Sequence, residues 1–230
     1  MGLYDTEDTD LYTPSGMEDT PKAKVEPNSA TARKVVRGGW ANARTQKAAS
    51  SPFPQRLAPP AEGVVIKFLG DGPYTTYRQH WINEIREGSK AFVCLDGIDP
   101  AGCPLCAAKN RASPQFHFNV VLVPLKDEGV PPSLMTYNVG PTIFDQLSEF
   151  HNDPRQGPLE KHYWVVKRSK NGTKWTSTFF MQRKEELEEQ GYLVPTTEDI
   201  AAMTLWDEGT VRTSTRKELT EIAATYLDLE

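Results

Sequence analysis

Cys94-Leu95-Asp96-Gly97-Ile98-Asp99-Pro100-Ala101-Gly102-Cys103-Pro104-Leu105-Cys106 holds all three cysteines of this 230-residue chain. The Cys-Pro-x-Cys end of the run is a turn that aims two thiolates at one centre, and Cys94 supplies a third. A tetrahedral structural zinc site then needs one more nitrogen or sulfur ligand. Two histidines compete for that place: His80 ahead of the run, and His117 beyond it. In the stretch 116–123, alternation sets Phe116, Phe118, Val120 and Leu122 on one face and His117 on the other. His117 therefore suits either the metal or the wall of a groove. Three thiolates and one neutral imidazole leave no open coordination position, so a Zn2+ ion held this way is structural, not catalytic. Its binding contributes on the order of 10–16 kcal/mol of apparent folding free energy. The surrounding segment, about residues 74–112, has few large apolar side chains of its own and gains most from such a clip.

Composition bounds the rest. The apolar fraction of 38% with 10% aromatics suffices for one compact core but not for a core running through the whole chain. No apolar run approaches the length of a membrane span. The first residues lack the basic and then apolar order of a secretory signal. Three clustered cysteines in an otherwise cysteine-free chain suit a reducing compartment and a metal rather than a disulfide framework. The cytoplasm is the expected location, with no membrane partner.

The net charge of −5 is unevenly spread. Residues 1–20 carry six acids and no Lys or Arg, whereas residues 21–60 carry eight basic residues against Glu26. Residues 183–230 carry twelve acids against five basic residues. A basic arm between acidic ends is compatible with gripping a polyanion and limiting that grip, so the acidic balance does not exclude nucleic acid.

Residues 1–62 are rich in Pro, Ser, Thr, Ala and charge without apolar periodicity, and are expected to be a disordered arm, acidic over 1–20 and basic over 21–60. Order is expected from residue 63. Val64–Leu69 reads as a strand closed by the turn Gly70-Asp71-Gly72-Pro73. Residues 116–124 and 135–139 read as further strands. Pro141 opens a helix with Ile143, Phe144, Leu147 and Phe150 on one face. Residues 163–169 and 174–180 read as a hairpin about Asn171-Gly172, whose type I′ turn would pair Trp164 with Phe179. After Arg183 the pattern is acidic and partly helical. Thr215-x-x-Glu218 is a capping box opening a helix with Leu219, Ile222, Ala223, Tyr226 and Leu227 on one stripe. Five strands with a helix before the last hairpin are the content of a small, mainly β, five-stranded barrel; the oligonucleotide-binding (OB) fold is the commonest such barrel that handles nucleic acid, and other small barrels share the content.

These residues resemble a known family, the zinc-containing, helix-destabilising single-stranded DNA-binding proteins of large tailed bacteriophages. Val65–Leu69 resembles the family's opening barrel strand. His80, Cys94 and Cys103-Pro104-x-Cys106 resemble its zinc ligands in nearly the same spacing. The stretches 119–127 and 143–145 and the hairpin from Trp164 are similar in order. The resemblance covers residues 63–182. It implies an OB barrel over 63–182 with a zinc subdomain over about 74–112, and it assigns the fourth zinc ligand to His80. It also implies coating of exposed single strands in phage DNA replication, recombination and repair, in the bacterial host cytoplasm, with self-association along the strand. Two features depart from the family: the chain begins acidic, with its basic residues further in, and the acidic region 183–230 looks partly helical. That region is expected either to compete with DNA for cations or to dock replication and recombination proteins.

Sequence-neutral binding of single strands needs cations along phosphates and rings against bases. The cationic candidates are Lys67, Arg78, Lys109, Arg111, Lys126, Lys167, Arg168, Lys170 and Lys174. The ring candidates are Tyr74, Tyr77, Phe116, His117, Tyr137 and Trp175. In the resembling family the rings corresponding to Phe116 and His117 face the cleft. No HExxH, GxSxG or phosphate-binding glycine loop is present, so no enzyme is expected. The competing reading is a zinc-ribbon transcription or RNA-binding module that reads specific sequence.

Overall fold

A computed structural model describes residues 53–171 and 174–227, with the side chains of residues 171, 174 and 175 outside the description. The expected arm up to residue 52, the turn residue Gly172, and the side chains of Lys174 and Trp175 therefore lie outside the described residues. The elements in order are β1 Val64–Leu69, β2 Thr75–Trp81, β3 Ala91–Val93, α1 Pro104–Ala107, β4 Ser113–Val123, β5 Ser133–Val139, α2 Pro141–Asn152, β6 Tyr163–Asn171, β7 Lys174–Gln182, α3 Lys184–Glu189, α4 Thr197–Ala201 and α5 Arg216–Tyr226. Among the described residues no helix is long and apolar enough to cross a membrane.

The protein is mainly β, with seven antiparallel strands in one sheet. Eleven-residue β4 organises them. One of its edges carries β5 along residues 116–122. The other is shared end to end: β2 pairs with residues 113–117 and β1 with residues 119–123. β1 and β2 thus run consecutively along one edge, with the glycine turn after Leu69 looped out between them. β6 pairs with the start of β1, and β7 with β6.

The sheet does not close. The second edge of β5 is met instead by the segment before β1: Leu57 N donates to Thr136 O at 2.8 Å and Thr136 N to Gln55 O at 2.9 Å. Leu57 is buried in the main core, so ordered packing begins before residue 63. Between β5 and β7 the described links are side-chain contacts: Tyr137 Oη donates to Ser177 Oγ at 3.4 Å, and the Tyr137 and Phe179 rings meet edge-on with centroids 6.4 Å apart.

The main core lies between β1, β4, β5, β6, β7 and α2, with Ile66, Phe68, Phe118, Val120, Leu147, Trp164 and Phe179 buried. The α2 face expected from helical spacing is the face used: Leu147 is buried, and Ile143, Phe144 and Phe150 pack beside it. The hairpin register differs from the Asn-Gly expectation. Val166 rather than Trp164 opposes Phe179, and Asn171 opposes Lys174. A slip of two residues keeps every side chain on its face, so burial of Trp164, Val166 and Phe179 is satisfied in either register. The turn dipeptide alone does not fix the pairing.

The C-terminal region folds back on both faces of the sheet system. Leu187 of α3 is fully buried against Val65, Val123 and Tyr163. Leu219 and Ala223 of α5 enter a separate core with Ile82, Leu95, Leu105 and the cysteines. The expected capping box forms: Thr215 N donates to Glu218 Oε2 at 2.9 Å, and Glu218 N to Thr215 Oγ1 at 3.2 Å. Leu219, Ile222, Ala223 and Leu227 use the stripe, whereas Tyr226 stays exposed.

Candidate metal centre and nucleic-acid groove

β2 delivers His80, and Cys94 directly follows β3. The ladder between these strands continues one step past β3, where Cys94 N donates to Arg78 O at 2.8 Å. Cys103 is the N-cap of α1 and Cys106 lies within that short helix, which begins at Pro104 because proline needs no amide partner in a first turn. The ligand atoms of His80, Cys94, Cys103 and Cys106 all lie within 4.8 Å of one another. His80 Nε2 is 3.4 Å from Cys103 Sγ and 3.5 Å from Cys106 Sγ, and Cys94 Sγ is 3.5 Å from Cys106 Sγ. A tetrahedron built on zinc–ligand bond lengths has edges of about 3.8 Å between sulfurs and about 3.6 Å from sulfur to nitrogen. The four residues fit a metal ion, and among them they fill a tetrahedral shell.

The hydrogen-bond partners fix which imidazole nitrogen faces the sulfurs. Asn110 Nδ2 donates to Trp81 O at 3.1 Å, so Asn110 Oδ1 is the acceptor left for His80 Nδ1, 2.9 Å away. The proton then sits on Nδ1 and the Nε2 lone pair points at the cysteines. With protein groups alone around it, burial and then the neighbouring Cys94 push the Cys106 thiol up to about 12. A divalent cation at the centre reverses that sign by stabilising the thiolate.

His117 is no part of this cluster. Its Nε2 lies 3.0 Å from Tyr77 Oη and its Nδ1 3.4 Å from Tyr74 Oη, with both tyrosine rings set edge-on to the imidazole. Burial, and then the Arg56 guanidinium, lower its pKa to about 4, so the ring is neutral near pH 7.

These three rings line a cavity of about 300 Å³ together with Phe53, Arg56, Trp81 and Thr210–Arg212. A second cavity, of about 510 Å³, is lined by Arg56, Tyr137, Arg168 and Ser177 among others. Arg56 and Asn138 line both. No Asp or Glu lines either one among the described residues. Asn138 Oδ1 is buried without a hydrogen-bond partner among the described residues.

The remaining candidates are dispersed. Arg78 points from the opposite face of β2 and pairs with Asp96 at 3.1 Å. Lys67 lies over the Tyr163 ring at 4.8 Å and donates to Glu160 O, on the face opposite the main core. Burial holds its ammonium below the usual lysine pKa, with Glu160 acting the other way. Phe116 stacks on Phe144 with centroids 3.8 Å apart, so one of its faces is already taken. Tyr137 is buried, lining the second cavity from the core. Lys109 and Arg111 are exposed on the loop after α1, and Lys126 is exposed at the far end of β4. Lys167 and Lys170 are exposed on β6, Lys167 Nζ lying 5.7 Å from the Phe180 ring.

Phe53, Arg56, Asn110, Trp81 and Arg212 went unread in the sequence. For Trp81 a signal existed: Tyr77, Gln79 and Trp81 alternate along β2 on the face opposite His80. For the others, no local pattern marks the position. No protein-family model, curated protein or solved structure matches the chain.

Proposed function

We propose that this protein binds single-stranded DNA without strong sequence preference, coating exposed strands during phage DNA replication, recombination and repair. One observation carries the reading. In a chain of net charge −5, two adjoining cavities gather Arg56, Arg168 and Arg212 with Tyr74, Tyr77, Trp81 and His117, and no described acid enters them. Arginines along a groove attract phosphates, and each base stacked on a ring contributes about 1–3 kcal/mol whatever its identity.

The tyrosine tips favour sequence-neutral binding over specific readout. Tyr74 Oη lies 2.9 Å from Thr136 Oγ1, and Tyr77 Oη bonds Gln79 and His117. With these hydroxyls satisfied inside the protein, the rings offer surface rather than hydrogen bonds to base edges.

The ion is zinc, because a closed shell of three thiolates and one imidazole is the donor set that zinc takes in structural sites. When bound it fixes β2, β3 and α1 as one unit, and β2 carries Tyr77 and Trp81 into the groove. The architecture is a partly open OB barrel. In support, β1 pairs with both β4 and β6, β5 and β7 are the outer members of that five-stranded set, and the seam between them is unsealed. Self-association along the strand and docking of replication or recombination proteins by the acidic C-terminal region are part of the same proposal.

Anisotropy titrations of labelled 20-mers of different sequence, with a duplex as control, test it. Similar affinities for the single strands and much weaker duplex binding are expected. A strong preference for one sequence favours the zinc-ribbon reading instead, and equal duplex affinity overturns the proposal.

A further inference from the structure

We propose that the acidic C-terminal segment supplies one wall of the nucleic-acid groove, with Arg212 as a phosphate ligand; this rests on the single-strand reading above. The segment is pinned on both sides of the groove residues. Upstream, buried Asn119 holds the backbone of Trp206 twice: Asn119 Nδ2 donates to Trp206 O at 2.9 Å, and Trp206 N donates to Asn119 Oδ1 at 3.1 Å. Asn119 sits on β4 near the point where β1 and β2 part, so this anchor is tied to the centre of the sheet. Next, Asp207 Oδ1 accepts from Gly209 N at 2.9 Å, and Thr210 Oγ1 donates to Asp207 O at 2.8 Å, closing a tight turn. Downstream, α5 is seated by Leu219 and Ala223 in the core of the metal subdomain.

Between these anchors Thr210, Val211 and Arg212 line the same cavity as Tyr74, Tyr77, Trp81 and His117. Two arginines of the segment have different fates. Arg216 is engaged, with Nη1 bonded to Gly102 O and 3.7 Å from Asp99 Oδ2. Arg212 is exposed, and none of the ion pairs among the described residues involves it. The two acids nearest before it, Asp207 and Glu208, belong to the turn, and neither lines the cavity. Glu218 lines a neighbouring cavity with Arg212, but its carboxylate accepts from Thr215 N and no ion pair among the described residues joins the two. An arginine held at the rim of an acid-free aromatic groove is placed to meet a phosphate.

The experiment compares the full chain with Arg212→Ala and Arg212→Lys, measuring affinity for an oligo-dT 20-mer across a salt titration. Arg212→Ala should bind about three- to tenfold more weakly near 50 mM salt, and its slope of log K against log salt should be shallower by about 0.7, the value for one single-strand phosphate. Arg212→Lys should keep the wild-type slope. If Arg212→Ala binds as tightly as the wild type with the slope unchanged, the wall is wrong and the single-strand reading survives. Weaker binding at an unchanged slope also overturns the phosphate role. Failure of the wild-type chain to bind at all overturns the single-strand reading, and this inference with it.

Discussion

The imidazole Nδ1 of His80 donates to Asn110 Oδ1 across 2.9 Å, and this bond turns the ring so that Nε2 faces the cysteines. His80 is fully buried. A buried ring with the wrong tautomer would present a proton to the thiolates instead of a lone pair.

Replacing Asn110 should therefore weaken metal binding without removing a ligand. For Asn110→Ala we expect metal affinity to fall about 10–100-fold, as for other partners that orient a ligating histidine. Competition against a chromophoric chelator measures this. An unchanged affinity would show that the bond is incidental.

The two faces of β2 make a paired test of the groove. Trp81→Ala should weaken oligo-dT binding by about 1–3 kcal/mol if the indole stacks on a base. Arg78→Ala, altering a neighbour on the opposite face whose charge is already paired with Asp96, should change affinity by less than about twofold. Equal losses in both variants would move the binding surface away from the cavity.

His117 sets a pH dependence. Its folded pKa, about 4, lies below the ordinary 6.5 because of burial and then Arg56. Between those values the unfolded chain binds a proton that the folded chain refuses. Acidification through this window therefore removes stability, and above pH 6.5 this contribution is flat. Urea midpoints at pH 7.5 and pH 5 should fall more for the wild type than for His117→Gln, which keeps an amide near the tyrosines but cannot titrate. Equal falls would contradict the assignment.

The docking of α5 should depend on Leu219, which is fully buried among Ile82, Leu105 and the cysteines. Leu219→Ala should cost about 2–5 kcal/mol of this packing. Limited proteolysis should then cut between residues 207 and 215 faster than in the wild type. Chelation should give the same pattern, because a metal ion held by His80 and the cysteines would fix the face on which α5 rests. Wild-type resistance to cleavage in both cases would detach the helix from the metal centre.

Much of this was legible in the sequence, and the gaps have physical causes. β5, the hairpin and α2 bury a mainly apolar face, so their periodicity could be read directly, and β1 is a continuous apolar run buried on both faces, between the main core and Leu187. β2 could not be read this way. Its faces, Tyr77-Gln79-Trp81 and Arg78-His80, line a cavity and carry a candidate metal ligand, so neither is apolar. The cysteine cluster was readable because few other arrangements explain that spacing, but Asn110 was not, since only the folded loop brings it to His80. The apolar stripe of α5 was visible, but its partner was not. Arg56 and Arg212 enter one cavity from positions 156 residues apart, a meeting that no local pattern encodes. The open seam depends on Leu57 and Thr136, where a short aperiodic segment takes the edge that a closing strand would need.

The most direct measurement is the quenching of tryptophan fluorescence on adding poly-dT or duplex DNA to natively purified protein, before and after chelation. Strong quenching by poly-dT, little by duplex, and loss of the poly-dT response after chelation are expected. Equal quenching by duplex, or a poly-dT response indifferent to chelation, would contradict the proposed function.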